Sequence, residues 1–109
     1  MTLIPEHQMH EVRADSMQSV ARVVARHSQQ ALWEIMGDTR RAPVAAARHL
    51  AWLLIRERLG YSFPRIAQFF KRDHTTVFLG VERARQRLEA DAEQRAVYER
   101  CREELDSAS

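Results

Sequence analysis

The sequence predicts an all-α protein, a compact bundle of about six helices in which two are joined by a turn short enough for a helix-turn-helix. Three observations carry this. Apolar residues recur at spacings of three and four along most of the chain, and no stretch alternates with a period of two. Only 3 Gly and 3 Pro occur in 109 residues, which leaves little turn material. Hydrophobic residues make up 45% and charged residues 29%, a balance that can fill a core.

The elements follow in order. Residues 1–15 show no sustained periodicity and are expected to form a flexible tail; one domain over 16–105 and a short tail at 106–109 complete the division. Met17, Val20, Val23 and Val24 mark an amphipathic helix that Ser28-Gln29-Gln30 interrupts. Ala31, Leu32, Ile35 and Met36 suggest a short second helix, with Gly37 as its left-handed cap. After an irregular basic stretch from Asp38 to Pro43, a long helix runs from about Val44 to Leu59 and stops at Gly60. Ser62 can cap the next helix, with Pro64 in its first turn, where a missing N–H costs nothing. Ile66, Phe69 and Phe70 give that helix its buried side. Lys71-Arg72 is the turn, and Asp73 suits the N-cap of a helix from His74 whose core side is Val77, Val81, Ala84 and Leu88. Val97, Tyr98, Cys101 and Leu105 define a last, mostly acidic helix over about 92–105. Trp33 and Trp52 are read as packing residues.

Several function classes are not expected. One cysteine, Cys101, allows neither an intramolecular disulfide nor a cysteine-based zinc cluster, and it reads as a small packed hydrophobe. No apolar run approaches the length of a membrane span, and the polar start lacks the apolar centre of a signal peptide, so a cytoplasmic, nucleoid-associated location is expected. His7 and His10 have no carboxylate cluster beside them, so no metal is expected. No nucleophile motif or oxyanion arrangement accompanies Glu57 or Asp73, so no catalytic residue, enzyme activity or cofactor is expected.

Charge is unevenly placed. The chain totals +2, but residues 37–88 carry eleven basic side chains against four acids, a net +7. The first 36 residues are at −1 and the last 21 at −4. A basic middle between acidic ends suits a polyanion-binding surface, and an Arg-rich solvated face is the plain alternative.

The helices at about 62–70 and 74–88 have the proportions of a helix-turn-helix, whose second helix enters the major groove N-terminus first. Asp73, His74, Thr75 and Thr76 lead that second helix. Asp can accept from a cytosine amino group, His and Thr can donate or accept, and a Thr methyl can pack on a thymine methyl. The plain alternative is that Asp73 and Thr76 only cap the helix.

The wider sequence resembles the C-terminal DNA-binding domain of the bacterial replication initiator DnaA, which has a helix-turn-helix like that of the Trp repressor. The resemblance is carried by Gly60, Ser62, Ile66, Ala67, Phe70 and the block Arg72-Asp73-His74-Thr75-Thr76-Val77. It reaches back through Ala45 to Ala51 and forward to about Leu88. It implies base reading by Asp73, His74 and Thr75 in the major groove, with Pro64 on a thymine methyl. It implies that Arg40 enters the minor groove, where narrow A·T-rich DNA favours an arginine. It places Arg41, Arg48, Arg56, Arg72 and Thr76 at or near phosphates. The target it implies is a nine-base-pair A·T-rich box close to TTATCCACA.

The chain departs from the family pattern in a thinner basic loop and in a turn before Arg72 that is one residue shorter, with Phe70-Lys71 where the family often has glycines. It also lacks the G-x-x-x-x-G-K-(S/T) loop of the initiator's ATPase domain, so nucleotide binding and ATP-driven origin melting by this chain alone are not expected. The expected function is sequence-specific duplex-DNA binding that regulates transcription or replication initiation by occupancy, in a bacterial or phage setting. The alternative is a protein-interaction module that binds a replication initiator or another protein through the outer helices. The acidic last helix fits a solvated face, a docking surface or a cover for the domain's own core.

Overall fold

The structure is a computed structural model that describes residues 16–108, so the expected tail at 1–15 lies outside the described residues. Six helices follow in order: α1 (Met17–Ser28), α2 (Leu32–Met36), α3 (Ala42–Leu59), α4 (Phe63–Phe70), α5 (His74–Ala90) and α6 (Ala92–Ala108). The described residues include no strand.

The helix α3 is the axis of the fold. Every side chain from Leu50 to Ile55 is buried, so this stretch is apolar all round and must be covered on all sides. The neighbours α1, α2, α4 and α5 supply the cover. On the outside, α6 lies across α1 and α5, with Val97, Cys101 and Leu105 turned into the core. The acidic helix is therefore a cover for the domain's own core. Two of its acids are tied to other helices as well: Glu104 meets Arg26 and His27, each at 2.7 Å, and Asp106 meets Arg58 at 2.8 Å.

Local chemistry explains the helix ends. Ser16 and Ser62 accept hydrogen bonds from the N–H groups of Ser19 and Arg65 and so cap α1 and α4. Pro43 and Pro64 sit in the first turns of α3 and α4. Gly60 ends α3 with φ 71. The same left-handed stop ends α1 at Gln29 (φ 59) and α4 at Lys71 (φ 58). In both places the next N–H reaches back five residues, from Gln30 to Ala25 at 3.0 Å and from Arg72 to Ala67 at 2.8 Å, which closes a Schellman motif.

Four expectations need correcting. Gly37 does not cap α2 in the left-handed region: it is extended, at φ −89 and ψ −161. With α2 only five residues long, its end is closed from outside by arginine side chains. Phe69 is 37% exposed and lies off the buried side of α4, which Ile66, Ala67 and Phe70 form alone. Trp33 is 75% exposed and does not pack in the core, because Ile35 alone on this short helix is fully buried. The last helix continues beyond Leu105 to Ala108, held in part by the ion pair of Asp106 with Arg58.

Candidate nucleic-acid interface

The turn between α4 and α5 is three residues long. Lys71 is left-handed, Arg72 leads out of it, and Asp73 is extended at φ −77 and ψ 144. The Asp73 carboxylate accepts from the Thr75 N–H at 3.0 Å, so it caps α5 as expected. The helix then begins with His74, Thr75 and Thr76, all exposed. Short polar side chains on the open first turn of a helix, with free backbone N–H groups beside them, can meet base edges or phosphates.

Pro64 is exposed at the start of α4. Its neighbour Phe63 packs edge-on against Phe78 of α5 at 5.4 Å, and the Arg56 guanidinium lies 4.6 Å over the Phe63 ring. These contacts bring Pro64 and Arg56 beside the second turn of α5, one turn from His74. Arg56 also donates from Nη1 to the Tyr61 carbonyl at 2.8 Å, so it is half committed to the α3–α4 turn.

The basic loop approaches from the other side. Arg40 and Arg41 are exposed, and Arg41 forks onto the Glu34 carboxylate with two contacts of 3.2 Å. Arg72 donates from Nη2 to the Gly37 carbonyl, which joins the helix-turn-helix to the start of this loop. Between them lies a cleft lined by Met36, Gly37, Asp38, Phe70, Lys71 and Arg72.

Arg48 is a correction. Expected at a phosphate, it is 4% exposed and presents no surface to one. Its Nε, Nη2 and Nη1 donate to the carbonyls of Ile35 (2.8 Å), Glu34 (2.8 Å) and Thr39 (3.0 Å). Burial, followed by the nearby charge of Arg72, holds its pKa below the usual arginine value, and Asp38 opposes that shift.

Further residues of this surface escaped the sequence reading. Phe78 is 43% and Leu79 44% exposed on α5, just past the polar first turn. The signal was present, because the core positions Val77, Val81 and Ala84 leave both of them off the buried stripe. His49 is half-buried against Trp52, with ring centroids 5.5 Å apart. Its Nδ1 lies 3.1 Å from Nη1 of Arg87 and, in the neutral ring, accepts from it. Burial, then Arg87, Arg83, Arg48 and Arg72, lowers its pKa to about 4. Among the described residues no cluster of His, Cys, Asp or Glu could hold a metal ion, and no helix is long and apolar enough to cross a membrane.

A capped recognition-type helix, a preceding helix set by a tight turn and a basic loop tied to that turn define a helix-turn-helix protein. Residues 17–84 match the family described as bacterial dnaA protein helix-turn-helix, and the chain belongs to that family. Similar proteins include chromosomal replication initiator proteins DnaA from three bacteria. That of Deinococcus deserti is 36% identical over 95 residues, covering 87% of this chain and 21% of the relative. That of Thermomicrobium roseum is 38% identical over 78 residues, covering 71% and 17%. That of Thermus thermophilus is 35% identical over 94 residues, covering 85% and 21%. The chain thus spans about a fifth of the length of these relatives.

Proposed function

We propose that this chain binds duplex DNA sequence-specifically, at A·T-rich sites like the DnaA box, and regulates transcription or replication initiation by occupying them. One observation carries the reading: the Asp73-capped start of α5 leaves His74, Thr75 and Thr76 exposed within the segment that matches the family. In this reading Asp73, His74, Thr75 and Pro64 meet base edges in the major groove. Arg40 enters the minor groove, and Arg41, Arg56, Arg72 and Thr76 meet phosphates. On binding, Arg41 would exchange its present partner Glu34 for a phosphate, whereas Arg72 would keep the Gly37 carbonyl and offer its remaining donors.

The test is binding to a box duplex and to a scrambled duplex at one fixed salt concentration. The box should bind more tightly, and equal affinities would remove the claim of sequence reading. Replacing His74 or Thr75 by Ala should cost about 1–3 kcal/mol on the box alone. Failure to bind any duplex at about 50 mM salt would favour the alternative of a protein-interaction module, since a basic reader binds at least non-specifically there.

A further inference from the structure

The end of α2 is an unusual place for two arginines to meet. A five-residue helix has almost no internal partners for its carbonyls, and its C-terminal end is the negative end of its dipole. The Arg48 side chain enters from α3 and takes the Glu34 and Ile35 carbonyls, while Arg72 enters from the turn before α5 and takes Gly37. Like charges would repel at this range, and the carbonyls between them offset the repulsion. The third Arg48 bond matters most: it goes to the Thr39 carbonyl, which belongs to the same peptide unit as the Arg40 N–H. One buried guanidinium therefore fixes the peptide plane from which Arg40 projects. Arg72 directly precedes Asp73, the cap of α5.

We propose that Arg48 and Arg72 are positioning residues that clamp the Arg40 loop to the helix-turn-helix and so set the offset between minor-groove and major-groove readers. The proposal rests on the DNA-binding reading above. A planar fork with donors in several directions can span three carbonyls, whereas a lysine ammonium on a flexible stem holds no such fixed geometry. The clamp is also consistent with the short turn at Phe70-Lys71, since the Arg72 bond to Gly37 anchors that turn to the loop.

The test uses box duplexes whose A·T pairs at the minor-groove end are replaced by I·C or by G·C. Both present a G·C-like major groove, but only G·C adds an amino group to the minor groove. The ratio of the two affinities therefore isolates minor-groove reading. In the parent protein the I·C duplex should bind about tenfold more tightly than the G·C duplex. Arg40→Ala should bring the ratio to about one. Arg48→Lys should do the same, with the penalty for changing bases under His74 intact, and adding it to Arg40→Ala should change the ratio no further. Arg72→Leu should also lower the ratio, and because a lost phosphate contact weakens both duplexes equally, a phosphate role alone would leave the ratio unchanged. If Arg48→Lys does not fold, Arg72→Leu decides. A ratio preserved in the clamp variants, a ratio of one in the parent, or a proportional loss of major-groove reading overturns the proposal. Should the parent show no preference for the box at all, the functional reading has failed, and hydrogen exchange of the free protein judges the clamp. Amides of residues 38–41 should then exchange about tenfold faster in Arg48→Lys with those of α5 unchanged, and unchanged loop amides overturn it.

Discussion

His49 shows how a single side chain can set the acid limit of this domain. It is half-buried against Trp52, accepts from Arg87 and faces the further charges of Arg83, Arg48 and Arg72. Its pKa of about 4 lies below the ordinary value of 6.5. As pH falls, the unfolded chain takes up this proton near 6.5, while the folded chain resists until about 4. The His49 contribution is therefore complete above pH 6.5, is lost progressively down to pH 4, and changes little beyond. Thermal denaturation should show Tm falling between pH 7 and 5, with a smaller fall in His49→Asn. An equal fall in both proteins would exclude His49 as the source. Residues of this kind were not legible in the sequence. Asp73 and Ser62 were, because a cap needs only its own side chain and an N–H two or three residues on. The fate of Arg48 depends on carbonyls nine to fourteen residues away, which periodicity does not describe.

At the scale of the helix, existence and type were legible, while ends and crossings were read less well. Periodicity places all six helices, and α3 stands out because its middle, from Leu50 to Ile55, is apolar on every side. The stop at Gly37 was misread because a glycine after a short apolar run looks like a left-handed cap, whereas α2 is closed by arginines from other elements. The closeness of α3 to α5 was also hidden. A methyl at Gly80 would lie 2.5 Å and 2.6 Å from two Trp52 ring carbons and 2.8 Å from His49 Cδ2. Trp52 is fully buried and edge-packed on Phe70, so its ring cannot give way cheaply. Ala would gain about 1 kcal/mol of helix propensity, but overpacking costs about 1–3 kcal/mol. With an immobile ring the upper end of that cost applies, so after the propensity gain Gly80→Ala should destabilise by about 2 kcal/mol in urea denaturation. A variant as stable as the parent would show that the two helices can separate without penalty.

Across the whole molecule, the charge pattern becomes a division of labour between faces. The acids of α6 are spent on Arg26, His27 and Arg58, or face outward from the helix that closes the core. In the basic middle of the chain, Arg40, Arg65, Lys71 and Arg83 are exposed and form no ion pair, while on α6 Arg95 turns back onto the Leu88 and Glu89 carbonyls and Arg100 sits among acids. The net +7 of residues 37–88 thus stays largely unneutralised, while two acids of the −4 end, Glu104 and Asp106, pair with cations of α1 and α3. Duplex binding of this kind should be strongly salt-dependent, with each lost phosphate contact lowering the slope of log affinity against log salt by about one unit. Arg56→Ala should do so on box and scrambled duplexes alike, because a phosphate contact carries no sequence information. The remaining Phe63 and Phe78 pair should keep α4 seated, so the effect should appear in binding at unchanged far-ultraviolet circular dichroism. Asp106→Asn, which releases Arg58 on the α6 side, should leave the slope where it was. Salt titrations on these two variants place the DNA-facing charge: a slope unchanged by Arg56→Ala, or made steeper by Asp106→Asn, would put the phosphates against a different face of the domain.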